Sequence, residues 1–171
     1  MGITIERAQP EDAGAIIAYM NKVGCETENL SFGSEGYPVS EKEEENIIRE
    51  KNQSPRNALF LAKKEGVIVG NASIEAFSRR KAHRAEFGIS VAKAEWGQGI
   101  GSRLLETIIQ HAREQQIEVI ELQVRSDNAR AIRLYQKYGF VKTGVYPKYF
   151  KIGDTYVDFD FMNLYIQPEN A

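Results

Sequence analysis

The chain carries a single cysteine, Cys25, among 171 residues. An intramolecular disulfide is therefore excluded, and an oxidising compartment is not implied. No histidine lies near Cys25 in sequence, so it reads as a small apolar filler or a bystander rather than a nucleophile. There are only two histidines, His83 and His111, with no paired ligand spacing, and no metal is expected. No apolar stretch approaches the length of a membrane span, and residues 1–7 lack the apolar region of a secretory leader. The expectation is a cytoplasmic protein without a membrane partner. Neither sign of charge dominates: 22 Lys and Arg stand against 24 Asp and Glu, for a net charge of -2. A nucleic-acid partner held by a basic surface is not expected. The local cluster Arg79, Arg80, Lys81 and Arg84 reads as a solvated hairpin tip. A Walker loop is excluded, because no Gly-Lys-Ser/Thr occurs.

What is present is ordinary for a globular chain: 42% hydrophobic and 27% charged residues, enough for a core without staples. The length fits one domain, 1–171. Ile3 and Ile5 alternate with Thr4 and Glu6, as in a half-buried strand. Pro10-Glu11-Asp12 opens a helix with Ile16, Ile17, Tyr19 and Met20 toward the core, and residues 24–39 read as a loop. Ser40 and Glu43 form a capping box that starts a second helix, ending near Ser54-Pro55. Segments 58–64 and 67–77 read as a hairpin turning at Glu65-Gly66, followed by a strand over 83–91. On that strand Phe87, Ile89 and Val91 share one face, while Glu86, Gly88 and Ser90 share the other.

The most informative stretch comes next, Trp96-Gly97-Gln98-Gly99-Ile100-Gly101-Ser102. It leads into an amphipathic run with Leu104, Leu105, Ile108, Ile109 and Ala112 on one stripe. Alternate glycines before a helix let a ligand approach unpaired backbone N–H groups, and the helix N-terminus favours a phosphate. The spacing departs from the dinucleotide fingerprint Gly-x-Gly-x-x-Gly. A strand at 118–124 follows, parallel to the one before the turn, giving one right-handed β-α-β unit. Ser126-Asp127-Asn128 then caps a helix that Gly139 ends, and strands over 140–150 and 155–166 close the chain. The predicted fold is α/β, a mixed sheet in the order β-α-α-β-β-β-α-β-α-β-β, with the parallel unit at its centre.

The glycine turn and the later helix Asn128-Ala129-Arg130-Ala131-Ile132-Arg133-Leu134-Tyr135-Gln136-Lys137-Tyr138-Gly139-Phe140 together resemble the GNAT superfamily of N-acetyltransferases. The family's loop reads Arg/Gln-x-x-Gly-x-Gly/Ala, and its helix reads Asn-x-x-Ala-x-x-Leu-Tyr-x-x-x-Gly-Phe. The resemblance is specific over about 87–144. It implies a GNAT-like fold and acetyl-CoA as cosubstrate, with no metal. It also implies transfer to a primary amine of a small molecule, an amino acid or a protein N-terminus. The alternative is a non-catalytic acyl-CoA sensor of the same fold. Homodimers are a further family-level expectation.

Carried over by resemblance, the main chain of Gly97, Gln98, Gly99, Ile100, Gly101 and Ser102 binds the pyrophosphate. Ile89, Ser90 and Val91 pair with the pantetheine arm. Asn128 contacts that arm or caps its helix, and Tyr135 is the general acid beside the sulfur. Trp96 is the departure: it stands where the family has Arg or Gln, so one charged phosphate contact is missing. Glu86, on the polar face of its strand, is the first candidate for the base, ahead of Glu75 and His83. His111 is expected on a surface face, without a role. The acceptor pocket is expected from 26–37, the hairpin near Phe77 and the final strands, with Glu26, Glu28 and Asp158 available to attract an amine.

Overall fold

A computed structural model describes residues 2–167; Met1 and residues 168–171 of the expected domain lie outside the described residues. The elements are β1 (Ile3–Arg7), α1 (Ala13–Glu26), α2 (Glu41–Gln53), β2 (Ala58–Lys64), β3 (Val67–Ala76), β4 (Arg84–Val91), α3 (Ile100–Glu114), β5 (Val119–Arg125), α4 (Ala129–Lys137), β6 (Val141–Ile152) and β7 (Thr155–Tyr165). The order matches the one read from periodicity and turn residues. The strands form one sheet in the order β1-β2-β3-β4-β5-β7-β6. Neighbours are antiparallel except β4 and β5, the parallel pair that α3 connects.

The sheet separates two apolar layers, and period-two alternation decides which residue enters which. On β2, Ala58 and Ala62 join α3 in the larger cluster, around Leu104, Leu105 and Ile108. Leu59 and Leu61 point the other way, against Ile16, Tyr19 and Val23 of α1 and Ile48 of α2. Helix α2 begins as its sequence dictates: the Ser40 hydroxyl accepts from Glu43 N at 3.3 Å, and the Glu43 carboxylate accepts from Ser40 N at 2.8 Å.

Two boundaries or placements differ from expectation. Helix α1 continues to Glu26, so the loop starts at Thr27 rather than Gly24. Gly24 is buried in that helix, packed beside Phe32 of the loop. His111, expected on the surface, is buried on α3 and meets Phe60 edge-on at 5.7 Å. It lies on the rim of the Ile108–Ala112 stripe, where the sheet covers it. Cys25 is exposed, the bystander of its two readings. Arg79–Lys81 form an exposed helical turn between β3 and β4, as the hairpin-tip reading requires.

Candidate functional site

Strands β4 and β5 hydrogen-bond only at Arg84↔Val119, Ala85↔Ile120 and Glu86↔Glu121. Beyond Glu86 they diverge, although β4 stays paired with β3 as far as Val91. The β5-facing edge of β4 is therefore open over Phe87–Val91. A cavity of about 660 Å³ occupies the split, with walls Glu86–Val91 and Leu122–Arg125. Strands about 4.8 Å apart keep their two faces separate. Where they part, groups from both sides of the sheet reach one space.

The α3 end of the cavity is an exposed helix terminus. Gly97 and Gly99 take φ of 82° and 77°, the left-handed region that a side chain disfavours, so the chain can turn directly into Ile100. Unlike α2 and α4, α3 has no side chain bonding its first turn, and that turn has no acidic residue. Its leading N–H groups and the helix dipole thus face the cavity uncompensated, an arrangement suited to an anion. Gly97, Gly99, Ile100, Gly101 and Ser102 line the space. Gln98 does not: it is exposed. Trp96 lines the rim, with its indole N–H donating to Val91 O at 2.8 Å.

From α4 come Asn128 and Tyr135. The Asn128 side chain accepts from Ala131 N at 3.2 Å, so it caps the helix while also lining the cavity. Tyr135 is buried against Phe87, with ring centroids 6.1 Å apart and the planes near perpendicular. Burial pushes its phenol above the ordinary value of 10.0, which keeps it protonated at neutral pH. On the opposite face of the sheet, Glu86 is exposed to the same cavity. It stands in a row with Glu75 and Glu121 on the neighbouring strands. Glu75 pairs with Lys51 and Glu121 with Arg84, whereas Glu86 has no ion pair among the described residues. Ser90 is buried on that face, its hydroxyl held by Tyr19 Oη at 2.9 Å and Asn71 Oδ1 at 2.7 Å, so only its main chain can serve a ligand.

Several sequence candidates have other work. His83 lies outside the cavity, and its carbonyl accepts from the N–H groups of Glu118 and Val119 at 2.8 and 3.2 Å. Glu26 accepts from Lys93 N at 2.8 Å, and Asp158 accepts from Lys148 N at 2.8 Å, so both brace backbone. Glu28 lies 3.7 Å from Arg125. The 27–31 loop and an aromatic wall of Tyr149, Phe150 and Phe159 complete the enclosure. Tyr149 and Phe159 contact at 4.8 Å, and Phe150 and Phe159 at 4.4 Å. Arg125 and Arg130 also line the cavity and were not singled out from sequence. The alternation Glu121, Gln123, Arg125 along β5 places Arg125 on the Glu86 side, a signal that was there to find.

A parallel pair that splits above an uncapped, glycine-led helix sets an open strand edge beside an anion cradle, and comparison with known proteins shows which family shares this architecture. Residues 16–140 match the acetyltransferase (GNAT) family, and the chain belongs to that family. It is 37% identical over 100 residues to an L-amino acid N-acetyltransferase of Escherichia coli, covering 57% of this chain and 62% of that one. It is 36% identical over 100 residues to an N-alpha-acetyltransferase of Mycobacterium tuberculosis, covering 58% and 61%. The match thus spans about three fifths of these relatives' length. A GNAT-family acetyltransferase of Streptococcus pneumoniae superposes with a TM-score of 0.93 at 31% identity, covering 97% of this chain and 100% of that one.

Proposed function

We propose that the protein transfers the acetyl group of acetyl-CoA directly to a primary amine. The observation that carries this is the convergence, in one cavity, of the bare α3 N-terminus, the open β4 edge, Tyr135 and Glu86. The α3 N–H groups and the main chain of Gly97–Ser102 hold the pyrophosphate. The unpaired edge at Ile89–Val91 receives the extended arm as a strand would be received, and an N–H there polarises the thioester carbonyl.

The amine nitrogen must be neutral to attack the carbonyl carbon. Glu86, directly or through one water, takes the proton that the ammonium releases. A new C–N bond forms and the C–S bond breaks. Tyr135, held neutral by burial, donates a hydrogen bond and then its proton to the departing sulfur. Once Glu86 has passed that first proton to solvent, it takes the second proton from the attacking nitrogen as the tetrahedral intermediate collapses; exchange with solvent reprotonates Tyr135, and the net reaction releases one proton. No enzyme nucleophile enters, which suits a chain whose one thiol is exposed and is not among the residues lining the cavity.

The acceptor we propose is the α-amino group of an amino acid or of a peptide N-terminus. The relatives named for L-amino acid and N-alpha acetylation support it. A peptide α-amino group, with a pKa of about 7.7–8.0, also asks less of a carboxylate base than a lysine amine at about 10.4. Tyr149, Phe150 and Phe159 offer an apolar surface to the acceptor's side chain. The test is acetyl-CoA consumption with L-amino acids, N-terminal peptides, polyamines and aminoglycosides. Acetylation of the first two groups is expected. Acetyl-CoA binding with no acceptor turned over would leave the sensor reading standing instead. Thermal stabilisation by NAD and not by acetyl-CoA would overturn both.

A further inference from the structure

The family's loop begins with Arg or Gln, and this chain has Trp96 there. The structure shows what stands in its place. The Arg130 guanidinium lies 4.2 Å over the Trp96 ring. It comes from the first turn of α4 rather than from the loop. Both residues line the cavity beside the bare α3 terminus. The indole is fixed in turn by its bond to Val91 O at 2.8 Å, which ties the platform to the end of β4. Arg130 makes no ion pair among the described residues, and partial desolvation, with no anion to offset it, draws its pKa below the ordinary guanidinium value. The first turn of α3 carries no acid, and Glu95, the cavity-lining carboxylate next to Trp96, is paired with Lys64 at 2.9 Å. A guanidinium that is stacked, oriented and left without a counter-charge beside an anion cradle is arranged for a ligand phosphate.

We infer that Arg130, held in place by Trp96, supplies the charged contact to the pyrophosphate of CoA that the loop itself lacks. Arg130 is then a binding residue and Trp96 a positioning residue. The swap moves the cation from the turn to the helix that carries Tyr135, so phosphate binding and placement of the acid become properties of one element. This inference rests on the acetyl-CoA reading of the site.

The test measures acetyl-CoA affinity by calorimetry and KM for two donors, acetyl-CoA and acetyl-pantetheine, which lacks every phosphate. A hydrogen bond to a charged group is worth about 1.5–3 kcal/mol, so Arg130→Ala should weaken acetyl-CoA binding roughly 10- to 100-fold. It should leave KM for acetyl-pantetheine unchanged, which a merely structural role would not do. Arg130→Gln, which keeps the stem, should show the same split. Trp96→Ala should weaken acetyl-CoA binding by about 2- to 5-fold, in keeping with a cation–π platform near the surface. Trp96→Arg placed in the Arg130→Ala background should restore most of the affinity. Acetyl-dephospho-CoA should show the full Arg130→Ala loss; a loss confined to acetyl-CoA would overturn the pyrophosphate assignment in favour of the 3′-phosphate. Parent-like affinity in both Arg130 variants, with the parent binding acetyl-CoA, overturns the inference and leaves the proposed function intact. Failure of the parent itself to bind acetyl-CoA overturns both.

Discussion

Glu86 and Glu121 face each other at the last hydrogen-bonded pair of β4 and β5, and among the described residues only Glu121 has a cation. Arg84 donates from Nε to Glu121 at 2.8 Å and leaves Glu86 to the cavity. The same residue type is thus a tied surface ion on one strand and an available base on the next. Glu86→Gln should lower kcat/KM by about 10²-fold, the scale of general base catalysis, with unfolding free energy within about 0.5 kcal/mol of the parent. Steady-state kinetics and urea unfolding check the two halves. An equally damaging Glu121→Gln would assign the effect to the row of carboxylates rather than to Glu86.

Tyr135→Phe keeps the ring that packs on Phe87 and Phe140 and removes the hydroxyl. Turnover should fall at least about 10²-fold while the Kd for acetyl-CoA stays within about twofold. Because burial holds the phenol above its ordinary value, activity should show no loss from Tyr135 ionisation up to pH 10. A weakened Kd with unchanged turnover would make the residue core and nothing more.

Arg125 joins three parts of the site. Its Nε and Nη2 donate to the Asp127 carboxylate at 2.9 and 2.8 Å, and its Nη1 donates to Glu28 O at 3.3 Å. The loop after α1 is thereby fastened to the strand that leads into α4. Arg125→Ala should raise KM for the amine about tenfold, with a smaller change in KM for acetyl-CoA, since the loop lies on the Glu86 side. Two-substrate kinetics read this directly; equal effects on both donor and acceptor would contradict it.

His111 sets an acid limb on stability. Burial holds its pKa below the ordinary 6.5, so the unfolded chain binds the proton more readily than the folded one. Its contribution is complete above that value and is lost as pH falls from 6.5 toward the lower folded value. Chemical denaturation at pH 7.5 and 5.5 should show lower stability at 5.5. His111→Phe, which keeps an aromatic partner for Phe60, should shrink that difference. An unchanged difference would place the acid limb on other groups.

Much of this was legible in one dimension. Alternation gave β2 to the residue, at 58–64, and placed Glu86 and Ser90 on one face of β4 with Phe87 and Ile89 on the other. Ser40 with Glu43 and the run Ser126-Asp127-Asn128 marked their helix starts because capping is a contact between near neighbours. The glycine turn was legible because left-handed backbone demands a particular residue. Misjudged positions depended on distant partners. His111 is buried by Phe60 and the Arg56 carbonyl, about 50 residues away in sequence. Glu26, Glu28 and Asp158 looked available for an amine, and each is occupied by a group on another element.

The sequence by itself determined the element order, the bare glycine-led helix terminus and the pairing of that turn with the Asn128–Tyr135 helix. The first two follow from local backbone preference and hydrophobic period, which act over a few residues; the third rested on the resemblance to the GNAT superfamily. The tertiary structure decided where β4 and β5 part, and therefore that Tyr135 and Glu86, on opposite faces of a sheet, open into one cavity. It also decided which of many charges are spent on other charges. Arg130 reads as a surface helix residue until the Trp96 ring is found beneath it.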